Sequence, residues 1–336
     1  MYRRSICHPA ALAGVFLLWL CLPLAGLAQN AATAVPSSIR MVDALNGVFH
    51  AHPHARANHA NGMLLTASFM PAPAAAGVSK APHFQTTPTS VLVRFSNFGG
   101  NPDIGDADPG AAPYGMSLKF LLDDDRETDL VMHSFNGFPS ATAADFVDFL
   151  TAMGNSPAGS ARPDPLAVYA ARHPQARAFL AAEKPVPAGF GTQSYFGVNT
   201  FKFTNAAGAV SYGRYRMVPL APARYLNREQ AAAASNDYLR AAMRRQLVDG
   251  PVRMMLELQM AEAGDALEDP SIAWPESRRR VELGMLTINA VVDHAENQDR
   301  SVVFFPDELP DGIEVKDPML KARTRAYAES LERRLK

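Results

Sequence analysis

The sequence predicts an α+β domain built on a predominantly antiparallel β-barrel, with helices inserted into it and appended at its C-terminal end. Three observations carry this. Eight segments have strand character (63–70, 90–97, 115–122, 128–133, 195–204, 209–218, 251–261 and 281–292), and several alternate apolar and polar residues. Helical spacing is confined to stretches before, between and after them. Of 336 residues, 48% are apolar and 19% charged, which excludes wholesale disorder. No internal repeat or composition break marks a second domain.

Taken in order, residues 1–28 read as a signal peptide. Arg3 and Arg4 form its positive start, residues 10–28 carry no charge, and Gly26-Leu27-Ala28 ends on small residues suited to cleavage. The competing reading is a membrane anchor. Pro23 and Gly26, followed by polar Gln29-Asn30, favour cleavage, and Leu18-Trp19-Leu20 before Cys21 is too bulky for a lipoprotein signal. Cleavage removes Cys7 and Cys21, the two cysteines of the chain, so the mature chain of about 308 residues has no disulfide and depends on its core. The expectation is a periplasmic or secreted protein with no stable membrane insertion after cleavage. It also lacks the thiols most easily oxidised by peroxide.

Residues 29–37 form an Ala/Pro/Ser linker, and 38–336 are expected to be one domain. A helix is expected from near Ser38, where Met41, Leu45, Val48 and Phe49 recur at helical spacing. In the second strand, Val91, Val93 and Phe95 are expected on the core face. Helical patterns run near 143–153, 164–183 and 227–248, and 71–82 and 101–113 are Pro/Gly/Ala loops. Removing Arg3 and Arg4 leaves 30 basic against 33 acidic residues, without the basic excess of a nucleic-acid binder.

The last helix is announced by Asp317-Pro318, an N-cap acid and a proline at the first helical position. Arg323, Tyr327, Ser330 and Arg334 then fall on one stripe. An arginine one turn before a tyrosine reaches the phenol oxygen and favours the phenolate, a competent iron ligand. Taken alone, a basic face on a terminal helix is more often simply solvated. His50, His52, His54 and His59 crowd ten residues, but no nearby carboxylate or thiol completes a metal set. Asp103, Asp106 and Asp108 lack the spacing and terminal Glu of an EF-hand loop. Phe135, Phe138, Phe146 and Phe149 read either as lining of a cofactor pocket or as plain core.

The segments Arg56-Ala57-Asn58-His59-Ala60-Asn61-Gly62, Arg94-Phe95-Ser96, Gly115-Met116-Ser117-Leu118-Lys119-Phe120 and Thr128-Asp129-Leu130-Val131 follow one another in order. With Arg323-x-x-x-Tyr327-x-Glu329-Ser330 and Arg334-Leu335, they resemble the catalase superfamily. Residues 269–275 and 281–284 look like its short, exported, catalase-related peroxidases in particular. The resemblance spans roughly 40–336 and implies a catalase-like eight-stranded antiparallel barrel that binds haem b. By this resemblance Tyr327 is the axial ligand of the haem iron, and Arg323 the arginine that holds it as phenolate. His59 is the distal base, with Ser96 holding its second ring nitrogen. Arg56, Arg94 and Arg334 face the haem propionates. A base above the iron takes a proton from peroxide and returns it to the departing oxygen, a task that suits an imidazole with an ordinary pKa of about 6.5.

Two departures bear on activity. Where catalases carry an Asn after Asp-Leu-Val, this chain reads Asp129-Leu130-Val131-Met132-His133-Ser134-Phe135-Asn136, leaving His133, Ser134 or Asn136 to replace it. Asn199 stands where the family normally has His. The chain is also shorter than typical catalases, which implies a more open haem channel or a smaller homo-oligomer. The expected activity is therefore a peroxidase using hydrogen peroxide or organic hydroperoxides and a small organic reductant, with neither nucleic acid nor membrane as partner. Hydroperoxide rearrangement, weak catalase activity and a non-catalytic haem carrier remain open as alternatives.

Overall fold

A computed structural model describes residues 37–157 and 163–336. The signal-peptide reading, nearly all of the linker, and both cysteines lie outside the described residues. In chain order the elements are α1 (Ser37–Phe49), β1 (Gly62–Pro71), α2 (Ala75–Val78), β2 (Thr89–Ser96), β3 (Gly115–Leu121) and β4 (Glu127–His133). Then come α3 (Ala143–Gly154), α4 (Pro165–Arg172), α5 (Pro174–Ala181), β5 (Tyr195–Phe196), β6 (Phe201–Thr204) and β7 (Val210–Pro219). The chain continues through α6 (Arg228–Ala233), α7 (Tyr238–Asp249), β8 (Val252–Met260), β9 (Arg280–Val291), α8 (Glu296–Ser301), β10 (Ile313–Val315) and α9 (Met319–Leu335). No described helix is long and apolar enough to cross a membrane.

Antiparallel pairing runs β7-β5-β4-β3-β2-β1-β9-β8, and β8 pairs back onto β7, closing an eight-stranded barrel. The expected strand at 195–204 is present but interrupted. β5 and β6 both pair with β7, and the four residues between them leave the ladder. β10 adds to β6 and was not foreseen, being only three residues long.

Period-two alternation fills the barrel. Leu65, Phe69, Val93, Phe95, Leu118 and Phe120 are all fully buried inside, and Phe69 meets Phe120 edge to face at 5.3 Å. The same alternation turns intervening residues outward. On β2, β3 and β4 these form two rows across the register, Arg94–Ser117–Val131 and Ser96–Gly115–His133. A helical layer covers that outer face. Its own core joins Met41, Val42 and Leu45 of α1, Phe149 and Leu150 of α3, and Ala322 and Ala326 of α9.

Two predicted helices are divided, each for a local reason. Pro174 has no N–H to continue α4, so the 164–183 pattern stops at His173 and restarts as α5. Ser235-Asn236-Asp237 divides 227–248 into α6 and α7. The N-terminal end of α7 is capped from a distant loop, where Asp106 accepts from the Leu239 N–H at 2.7 Å. α9 begins one residue later than the cap signal suggests, and Asp317 accepts from the Met319 N–H at 2.9 Å.

Because Phe69 is fully buried in the barrel, Phe69→Ala is expected to cost about 3–5 kcal/mol in urea denaturation. Met70→Ala, one residue along on the exposed face, should stay within about 0.5 kcal/mol. Equal losses would contradict the assigned faces.

Candidate active site

Between the barrel's outer face and the helical layer lies a cavity of about 1340 Å³, counting its open mouth. His59, Ser96, Arg323, Tyr327 and the arginines 56, 94 and 334 all line it, so the seven residues to which the resemblance gave catalytic or cofactor-binding roles converge there. Much of the remaining wall is apolar and includes Phe138, Phe146 and Phe149, whereas Phe135 packs against Phe179 at 5.4 Å instead.

Arg94 organises one side. Its Nε and Nη2 donate to the two oxygens of Asp299 at 2.6 and 3.1 Å, and Nη1 and Nη2 donate to the carbonyls of His59 and Ala60 at 3.0 and 3.3 Å. Those bonds hold His59 in a left-handed conformation, φ 56°, outside the usual range for a side-chain-bearing residue. Arg56 lies 3.6 Å from the same carboxylate. Burial alone would raise the Asp299 carboxyl, but the Arg94 charge and hydrogen bonds, with Arg56 behind them, hold it down to about 2.

The imidazole of His59 has a fixed tautomer. Its Nδ1 lies 2.9 Å from the Asn97 carbonyl, which can only accept, so Nδ1 carries the proton and Nε2 is left as the acceptor. Ser96 Oγ sits 3.1 Å from the same nitrogen, as expected, but shares that role with a backbone carbonyl. Burial, then the Arg94 charge, holds the ring down to about 3, keeping it neutral. Gly115 makes room for it, since a Cβ there would lie 2.6 Å from Ser96 Oγ and 2.8 Å from His59 Nδ1.

Of the three residues left open after Asp129-Leu130-Val131, His133 lines the cavity. Ser134 is engaged with Tyr114, and Asn136 turns to the surface, donating to Glu276 at 3.2 Å. The buried Nδ1 of His133 has no hydrogen-bond partner, and burial, followed by the Arg323 charge, holds this ring down to about 3.

On α9, Arg323 Nε and Nη2 donate to Tyr327 Oη at 3.0 and 2.7 Å. Two charged N–H donors at one oxygen match the needs of an anionic ligand atom. Arg323 Nη1 donates to Asn199 Oδ1 at 2.6 Å, and Asn199 Nδ2 donates to Asp317 at 2.7 Å. Asn199 lies in the break between β5 and β6, so the interruption delivers this amide to the helix. Ser330 Oγ accepts from the Ala57 N–H at 3.2 Å, tying α9 to the loop that carries His59.

A family model described as Catalase matches residues 28–336. The chain belongs to the catalase family. Its relatives include a catalase-related peroxidase of Mycolicibacterium paratuberculosis, 35% identical over 87% of this chain and 93% of that protein. Another catalase-related peroxidase, of Synechococcus elongatus, is 30% identical over 94% of this chain and 96% of its own length. Among solved structures, a fungal catalase and catalase A of Saccharomyces cerevisiae share the fold, each with a TM-score of 0.74 at 20% identity over 84% of this chain. The chain spans 60% and 61% of the length of those two catalases.

Sequence reasoning missed Asp299, which sits in a short polar helix with no motif, and the Asn97 carbonyl, which has no side-chain signal. The charge of Asp299 ties stability to pH. The folded pKa is depressed, so its contribution is fully present above the unfolded value of about 3.9 and is lost as pH falls toward about 2. Asp299→Asn leaves buried Arg94 without its counter-charge and is expected to cost about 3–5 kcal/mol at neutral pH. The variant should also flatten the loss of stability between about pH 4 and 2. Denaturation profiles across pH that coincide for both proteins would exclude this role.

Proposed function

We propose that the cavity binds haem b and that the chain is a haem peroxidase reducing hydrogen peroxide or organic hydroperoxides with a small organic donor. One observation carries the reading: a neutral imidazole and an arginine-held phenol line one largely apolar chamber whose edge is set with guanidiniums. That donor set fits a flat, apolar iron macrocycle with carboxylate arms. Tyr327 Oη would ligate the iron, with Arg323 supplying the positive charge beside it, while Arg56, Arg94 and Arg334 would hold the carboxylates. Haem, when bound, supplies the iron that accepts oxidising equivalents from peroxide.

The protein's part is proton handling and orientation. His59 Nε2 takes the proton from the peroxide oxygen and returns it to the departing one, general acid–base work typically worth about 100- to 10,000-fold. The Asn97 carbonyl and Ser96 hold the ring so that Nε2 remains the acceptor. His133, the one of the three candidates for the catalase amide's place that lines the cavity, brings a second neutral imidazole to it. Near-full-length similarity to two proteins named catalase-related peroxidase supports a reaction that consumes a donor. The residues at 1–28 support export to the periplasm or beyond. Overall, one hydroperoxide ROOH and two donors AH give ROH, water and two radicals A•, each donor losing one electron and one proton.

Mature protein reconstituted with haem should show a Soret band that Tyr327→Phe shifts or weakens; no band in the wild type would defeat the reading. His59→Ala should retain the band and lose at least tenfold in peroxidase turnover. Oxygen evolution from peroxide alone, faster than oxidation of any donor, would instead favour catalase chemistry.

A further inference from the structure

A second pocket adjoins the guanidinium cluster, holding about 1010 Å³ counting its mouth. It shares the Arg56 and Arg334 side chains with the main cavity as a common wall. Three further arginines line it, Arg240 and Arg244 one turn apart on α7, and Arg300 on α8.

The positive charge there is only partly compensated. Two carboxylates face the pocket, Asp299 and the exposed Glu296. Both oxygens of Asp299 are taken by Arg94. Arg244 pairs at 3.1 Å with Asp293, outside the pocket lining, but the two side chains are 57% and 72% exposed, so the pair is screened. Arg240 donates to the Asn61 side chain at 2.9 Å and to the Gly62 carbonyl. Arg300 donates to the Arg334 carbonyl at 3.1 Å, and Arg334 to the Arg300 and Val302 carbonyls, each at 2.7 Å. Neutral oxygens accept hydrogens without cancelling charge. Burial lowers Arg240 even against the pull of Asp106, and burial, with the Arg94 charge behind it, takes Arg334 down to about 10. Met63, Leu64 and Val291 give the same pocket an apolar side.

Carboxylate is the ligand chemistry that a planar guanidinium fork matches. Carboxylates of a cofactor would meet Arg56, Arg94 and Arg334 from the cavity side, which leaves Arg240, Arg244 and Arg300 for a different anion. We propose that this pocket binds a small organic carboxylate with an oxidisable hydroxyl, and that this molecule is the electron donor of the peroxidase cycle. The inference rests on the reading of the main cavity given above. Each bound donor gives up one electron and one hydroxyl proton, so two donors match one peroxide O–O bond broken.

The test uses 4-hydroxybenzoate and its neutral methyl ester as probes. By calorimetry on the full mature chain, with haem and without, the acid should bind at one site at least tenfold more tightly than the ester. Arg300→Gln and Arg240→Gln should each remove most of that preference. In turnover they should raise KM for the acid at least tenfold more than KM for the ester. Arg240 also anchors the Gly62 carbonyl, so should that variant fail to fold, Arg300→Gln, which loses a single carbonyl contact, decides the matter. Equal binding of acid and ester, or equal KM changes, would overturn the proposal. Failure of the cavity reading has a separate signature: the acid binds, yet the haem-loaded chain oxidises neither probe. That result removes the donor role as well.

Discussion

One guanidinium holds this site together. Arg94 sits on the outer face of the barrel at 3% exposure and gives hydrogen bonds to α8, through Asp299, and to two consecutive carbonyls of the loop that carries His59. A buried cation of this kind is costly unless it is both paired and fully hydrogen-bonded. Here the partners come from two segments far from the strand in sequence, so satisfying the charge also fixes the loop, the strand and the helix relative to one another. The left-handed backbone at His59 persists because these bonds over-determine it. Arg323 performs the matching task on the opposite wall, where it joins Tyr327, the strand break at Asn199 and the start of α9.

The division of labour follows from the pleat. Inside the barrel, alternate residues build an apolar core that needs no help from the site. Outside it, the other residues of the same strands present Arg94, Ser96, Gly115, Ser117 and His133 to the cavity. The stability of the scaffold and the polarity of the site are thus carried by opposite faces of one sheet. This lets the fold keep several buried charges beside an intact core.

Much of this was legible in the sequence, and the gaps have physical causes. Alternation at Val91, Val93 and Phe95 placed the core face correctly, and by the same parity Arg94 and Ser96 had to point the other way. The stripe on α9 was readable because helical spacing alone brings Arg323 within reach of Tyr327. What escaped were contacts made by groups without sequence signatures: the carbonyl of Asn97 and the carboxylate of Asp299. The interruption of the 195–204 strand also escaped: Gly197 and Asn199 are poor strand formers, but the aromatic and β-branched residues around them dominate the pattern. The choice among His133, Ser134 and Asn136 required the register, which places residue 133 opposite Gly115 on the barrel's outer face, toward the cavity.

That register has a further meaning. A slip of β2 by one residue would exchange Arg94 and Ser96 for Val93 and Phe95 on the outer face, burying charge in the barrel and exposing aromatic surface to the cavity. A near-miss fold of this chain is therefore not a weakened enzyme but a chain with no site and no core. Assembly carries its own proofreading, and any molecule that passes it arrives with the cavity already laid out.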